Sequence, residues 1–342
     1  TPSAGTSNLR LGVNAGNSIE SGGNYNTVVG DEAGTAITTG DSNIGVGYGA
    51  VKAATTGSQN VGVGVNTLAT LTTASYNTAL GTSALTANTS GANNVAVGTN
   101  ALDANTTAAN NTAVGYDSLG ANTTGASNVA VGALASDAMT TASFNVALGT
   151  SALSAETQGN RNTAIGHAAL TASNTTSNVD TYNTAVGCLA GLSVTTGIQN
   201  TFIGGLAGTN ITTANQNVAV GFGTLDADTL GARNVAVGTN SLTSQNFTSA
   251  TNAYNVGVGY FAGAGITTGY NNTLIGGLSG DAITTGHSNS TLGVSSLGAN
   301  TTGIYNVALG ISTLQSNTTA SYNTAVGSRA LEDNTSGAFN VG

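Results

Sequence analysis

Three acidic pairs are the first places to look for acid–base chemistry: Asp31 with Glu32, Asp226 with Asp228, and Glu332 with Asp333. Paired carboxylates serve glycoside hydrolysis when held apart across a cleft, and spaced oxygen ligands hold calcium. Neighbours in sequence supply neither geometry. His167 and His287 have no counterpart elsewhere in the chain, and each reads as a variable surface residue. Cys188 is the only cysteine, so no intrachain disulfide forms, and no partner motif marks it as a nucleophile. The run Gly45-Val46-Gly47-Tyr48-Gly49 imitates a phosphate-binding loop without the strand–loop–helix context such a loop needs. Triplets such as Asn122-Thr123-Thr124 match a glycosylation acceptor and read more simply as part of a repeat. No catalytic constellation, cofactor site or metal site emerges, and the expectation is a protein that is not an enzyme.

The elements around these residues are set by a repeat. The pattern Asn-[Thr/Val]-small-[Val/Leu/Ile]-Gly opens at Asn26, Asn43, Asn60, Asn77, Asn94, Asn111, Asn128, Asn145 and Asn162. It continues at Asn183, Asn200, Asn217, Asn234, Asn255, Asn272, Asn289, Asn306 and Asn323, with imperfect copies at Asn8 and Asn340. The step is 17 residues, except for 21 after Asn162 and after Asn234, and 18 after Asn8. Taking Asn as position 0, position 3 is Val, Leu or Ile and position 4 is Gly in all eighteen full copies. Position 12 is Thr in all sixteen copies of 17 residues. Fifty glycines and this period rule out an amphipathic helix, and a regular recurrence of this length is the signature of a solenoid.

The expected fold is an all-β, parallel β-solenoid of 17-residue coils, forming one continuous domain over 1–342 with loop insertions near 174–180 and 246–252. Alternation along a strand puts positions 1 and 3 on one face. Their branched side chains imply that this face is inward, with the small residue at position 2 outward, where Ala79, Ala96, Ala113 and Ala130 would form either a column for a neighbouring chain or a neutral surface. Most copies pair a Leu at position 8 with a polar residue at 11, as in Leu85 with Asn88, Leu102 with Asn105, and Leu314 with Asn317. Five copies reverse this: Gly34 with Ile37, Gly191 with Val194, Gly208 with Ile211, Gly263 with Ile266, and Gly280 with Ile283. One core pocket of fixed volume, filled from either position, accounts for both arrangements.

Stacking would set each Asn over the next, so Asn77, Asn94, Asn111, Asn128 and Asn145 should form a hydrogen-bonded ladder. Thr89, Thr106 and Thr123 should form a second one through their hydroxyls. Charged residues are only 6% of the chain, which suits columns in which like charges would repel.

The unit NTAVG-x-x-AL-x-ANTTG-x-x, nearly whole at Asn111–Ser127, resembles the repeats of phage tail fibres and bacterial surface fibres. It is also similar to the head repeats of trimeric autotransporter adhesins, whose coil is shorter. The resemblance covers nearly the whole chain, and it implies an extracellular rod on a virion or cell surface, part of a longer fibre, with three chains packed side by side. No coiled-coil stalk, membrane anchor or chaperone-like domain of those families is visible in the sequence.

Partners follow from charge and from position 16. The net charge is −9, and Arg10, Lys52, Arg161, Arg233 and Arg329 are scattered, so neither nucleic acid nor an anionic membrane is an expected partner. No apolar stretch is long enough to cross a bilayer. The place just before the next repeat Asn, position 16 in a copy of 17 residues, holds Tyr25, Tyr76, Phe144, Tyr182, Tyr254, Tyr305, Tyr322 and Phe339. These rings could stack on the sugars of a host surface glycan or receptor, joined by Asn174 and Phe247 of the long copies, or they could cover a corner of the coil or pack between chains. Two other functions compete with a fibre or adhesin segment. One is a filament of stacked subunits. The other is ice binding through threonine columns, which is weakened because adjacent threonines at positions 12 and 13 are expected to point to opposite faces.

Overall fold

The computed structural model describes residues 5–342. Each repeat contributes one three-residue strand, nineteen in all from Leu9–Leu11 to Thr324–Val326, and no helix occurs among the described residues. The chain divides into two compact units, one of Thr1–Ala164 with Asn174–Asp180 and the other of Ile165–Ser173 with Thr181–Gly342. In the first unit, strands pair in parallel from Leu9–Leu11 with Thr27–Val29 through to Val129–Val131 with Val146–Leu148. In the second, the same ladder runs from Thr184–Val186 with Thr201–Ile203 to Val307–Leu309 with Thr324–Val326. Each register step equals one repeat, so equivalent positions lie over one another. This is a β-solenoid of 17-residue coils.

The orientation of the strand is opposite to the expectation. The residue at position 2 is buried in every full coil, whether Ala79, Ala96 and Ala113 or the larger Val28, Phe202 and Leu274, while no residue at position 3 is buried. The interior is narrow. A Leu from position 8 already fills most of it, which leaves room only for a small residue on the strand: Ala or Gly, and once Thr, in Thr291 beside Leu297. The branched residues at positions 1 and 3 stabilise the pleated backbone from outside. Ala at position 2 therefore does not form an outer column.

The exchange between positions 8 and 11 is as expected. Leu85, Leu102 and Leu314 are fully buried, and so are Ile37, Val194, Ile211, Ile266 and Ile283. The structure adds a third partner to this balance. Where position 2 is large, position 8 is Gly: Val28 with Gly34, Phe202 with Gly208, Leu274 with Gly280. A methyl group added at Gly208 would lie 2.4 Å from Cε1 of Phe202. Three positions thus share one volume, as close packing requires.

The corners are left-handed. Position 4 has φ between 119° and 146° in every full coil, a range that only glycine occupies at ease. There the backbones of neighbouring coils also touch, and a Cβ on Gly98 would lie 2.3 Å from the carbonyl oxygen of Gly115. Positions 6, 8 and 16 repeat positive φ near 50–64° with ordinary residues, among them Ser83 (59°), Leu85 (52°) and Tyr76 (64°).

Candidate functional site

Polar side chains are ordered along the stack in columns, and the columns are where any function must be sought. The Asn column is buried. The backbone N–H of Asn111 donates to Oδ1 of Asn94 at 2.9 Å, and Oδ1 of Asn111 accepts from the N–H of Asn128 at 2.9 Å. Its own Nδ2 donates to the carbonyl of Gly125 at 2.9 Å. The same pattern links Asn77 to Asn94 and Asn128 to Asn145. A second Asn column, not anticipated, runs at position 11: Nδ2 of Asn105 donates to Oδ1 of Asn88, and Nδ2 of Asn122 to Oδ1 of Asn105, at 3.1 and 3.2 Å. The Asn-Thr-Thr triplets that open at Asn105, Asn122, Asn300 and Asn317 belong to this column, and these asparagines are fully buried.

The Thr column forms, by a different bond. The hydroxyl of Thr89 donates to the carbonyl oxygen of Thr106, and that of Thr106 to Thr123, at 3.0 and 3.1 Å. The expected hydroxyl-to-hydroxyl chain is absent because the carbonyl of the next coil lies nearer to hand. The segment is a bend and not a strand, so alternation fails. Thr107 and Thr124 at position 13 are exposed, and Thr106 and Thr123 beside them are half-buried. Both residues of each pair reach solvent, against the expectation of opposite faces.

The long coils are prepared by a carboxylate in the coil before them. Glu156 and Asp228 stand at position 11, are fully buried, and precede the coils of Asn162 and Asn234. Oε1 of Glu156 accepts from the N–H groups of Thr157, Gln158, Gly159 and Thr175 and from the hydroxyl of Thr175, at 2.7–3.1 Å. Oδ1 of Asp228 accepts from the N–H of Gly231 at 3.0 Å and of Phe247 at 3.3 Å, and Nε2 of Gln245 donates to Oδ2. Burial pushes the Asp228 carboxyl above its usual value, against the hydrogen bonds from Gln245 and the backbone. Phe247 is itself buried, so it is no receptor contact: the chain turns inward there before the inserted loop emerges. Asn174 is exposed, and its Oδ1 receives the Thr157 hydroxyl at 3.1 Å, as Asn246 receives that of Thr229 at 3.0 Å. Asparagine at position 12 of both long coils thus interrupts the Thr column, which resumes at Thr195 and Thr267.

The acidic pairs separate. Asp228 faces the interior while Asp226 lies half-buried at the surface; Glu32 pairs with Lys52, and Glu332 with Arg329 at 3.7 Å. Among the described residues no group of three or more His, Cys, Asp or Glu could hold a metal ion, and no helix is long and apolar enough to cross a membrane.

The rings of position 16 are exposed, Tyr76 by 61% and Tyr322 by 47%. Several are covered on a face by the residue one coil away. Arg161 lies 5.0 Å from the ring centre of Phe144 and pairs with Asp180 at 3.0 Å, and Arg233 lies 5.5 Å from Tyr254 and donates to its hydroxyl. Tyr305 stacks on Tyr322, and Tyr322 on Phe339, with centres 5.1 and 4.9 Å apart. Tyr182 is exposed as well. A further exposed row at position 5, with Tyr48, Tyr116, Phe222 and Tyr260, escaped the sequence reading because it recurs in too few coils.

The most extensive surface feature is the outside of the strands. Leu80, Val131, Leu148, Ile203, Leu292 and Val326 at position 3 are 37–60% exposed. No protein-family model matches the chain, and no curated protein matches it.

Proposed function

We propose that this chain is a structural fibre segment that associates side by side with copies of itself through the outer face of its strands, and that it is not an enzyme. The observation that carries this reading is the aliphatic residue at position 3, present in all eighteen full coils although the interior does not use it. Nine of these eighteen side chains are at least 36% exposed and the rest are half-buried, an apolar strip of the kind that marks an interaction surface. Positions 1 and 3 carry no charge in any full coil, so a second copy meets no unpaired ion there. Three copies, and a place on a virion or cell surface, rest on the resemblance to fibre and adhesin repeats alone.

The test is the mass of the protein in solution. The wild-type chain is expected to be an oligomer. L80K/V131K/L148K is expected to be a single chain with an unchanged circular dichroism spectrum, since these side chains point away from the core. A wild-type mass of one chain defeats the reading.

A second reading is favoured by one observation. In twelve of the sixteen 17-residue coils positions 12 and 13 are both threonine and both reach solvent, which gives a two-residue row able to order water against ice. Absence of thermal hysteresis in the same preparation removes it.

A further inference from the structure

Position 9 follows the core residue of position 8, and in the eighteen full coils it is glycine only twice, at Gly120 and Gly298. At Gly120 the missing side chain is replaced from within the coil. A methyl group added there would lie 2.2 Å from Oδ1 of Asp117, which already fills the space. At Gly298 the equivalent residue is Ser295, and the space stays open: an added methyl group would find its nearest atoms at 3.4 Å, the carbonyl oxygen of Ser295, and 3.5 Å, Oδ1 of Asp281. The result is a notch of about 310 Å³, at the small end of the range of small-molecule sites. Leu278 and Asp281 of one coil, Ser295, Gly298 and Ala299 of the next, and Gln315 of the third line it.

Asp281 is the only charged residue in this lining. It belongs to none of the ion pairs among the described residues, no other side chain donates to it, and burial raises its carboxyl above the usual value. Ser295 and Gln315 spend no side-chain hydrogen bond within the chain either. Three acceptors, a carboxylate, a hydroxyl and a carboxamide oxygen, thus border one space with an apolar wall, Leu278, which is 39% exposed. These features select among ligands. An anion is repelled by the carboxylate, and an uncharged ligand leaves it unpaired. A divalent metal needs several oxygen ligands and finds a single carboxylate, and no group of three metal-binding side chains occurs among the described residues. A guanidinium is a flat fork made for a bidentate partner, whereas an ammonium carries three N–H donors on one atom and matches three separate acceptors. A second copy has no free cation to offer: Arg10, Lys52, Arg161, Arg233 and Arg329 are engaged by Gly16, Glu32, Asp180, Gln216 and Glu332. We propose that the notch at Gly298 binds the primary ammonium group of a small alkylamine, its nitrogen on Asp281 and its carbon chain along Leu278.

The test is a titration of the full chain with n-pentylammonium chloride at constant ionic strength, followed through its backbone amide resonances. Saturable shifts are expected at Ser295, Gly298, Ala299 and Gln315. Tetramethylammonium has the charge without N–H donors, and 1-pentanol has the carbon chain without the charge; neither is expected to saturate these shifts. Asp281→Asn keeps the size of the side chain and removes its charge, and it should weaken binding at least fivefold. Should that variant fail to fold, Gly298→Thr fills the floor of the notch with the residue that Thr209 and Thr243 place at position 9, and it should abolish the shifts. Asp226→Asn removes another position 9 carboxylate, one followed by Thr243 and not by glycine, and is expected to leave binding unchanged. No saturable shift in the wild type, equal binding by folded Asp281→Asn or Gly298→Thr, equal response to tetramethylammonium or 1-pentanol, or loss of binding on Asp226→Asn overturns the proposal.

Discussion

Asp228 concentrates the cost of building this stack. Its carboxylate stands where most other coils put Asn or an aliphatic group, and it is held by Gln245, which is in turn held through Oε1 by Nδ2 of Asn255 at 2.8 Å. Because burial raises its folded value above the usual carboxylate range, its contribution to stability is full below that usual value and is lost as pH rises through the folded one. Asp103, Asp137 and Asp281 are pushed the same way, chiefly by partial burial. Thermal unfolding followed from about pH 4 to 7 is therefore expected to show stability falling with pH, and Asp228→Asn should flatten that slope. The slope is the readout, not the level, since an amide facing Gln245 brings two donors together. Equal slopes would refute this account of Asp228.

Single coils differ from their neighbours in ways that can be exchanged. In the coil of Asn128 the core pair is Ser136 with Met139, both buried, and the Asn column at position 11 stops there, leaving Oδ1 of Asn122 without a partner. Met139→Asn removes the aliphatic filling and should cost about 2–4 kcal/mol. Adding Ser136→Leu restores the Leu–Asn pairing of other coils, refills the pocket and gives Asn122 its bond, so most of that loss should return. A denaturant cycle over the four proteins measures the coupling, and simple additivity would mean that the two positions do not share a pocket. The exchange itself was legible in the sequence, because copies within one chain compensate each other visibly. The direction of the strand was not. Branched residues at positions 1 and 3 satisfy β propensity on either face, and only the width of the interior decides which. The inward turn at Phe247 was hidden too, although its signal was present: an acid at position 11 one coil earlier, and Asn for Thr at position 12.

At the scale of the whole chain the period is the organising quantity. Removing residues 94–110, one complete coil, brings Asn111 over Asn77 and joins like position to like in every column. The shortened protein is expected to keep the circular dichroism spectrum of the parent and to unfold as cooperatively. Removing only 95–110 shifts the following strand by one residue, which would turn the buried position outward. That variant should be strongly destabilised, and indistinguishable unfolding of the two deletions would show that register is not what holds the coils.

The bonds of the columns also run one way. Each Asn takes up the N–H of the Asn that follows it, and each Thr hydroxyl reaches forward to the carbonyl of the next coil. The two flat sides of a coil are consequently as unlike as a plug and its socket. A loose coil presented upside down finds donors opposed to donors, so any addition to a stack of this kind must keep the polarity of the chain already there.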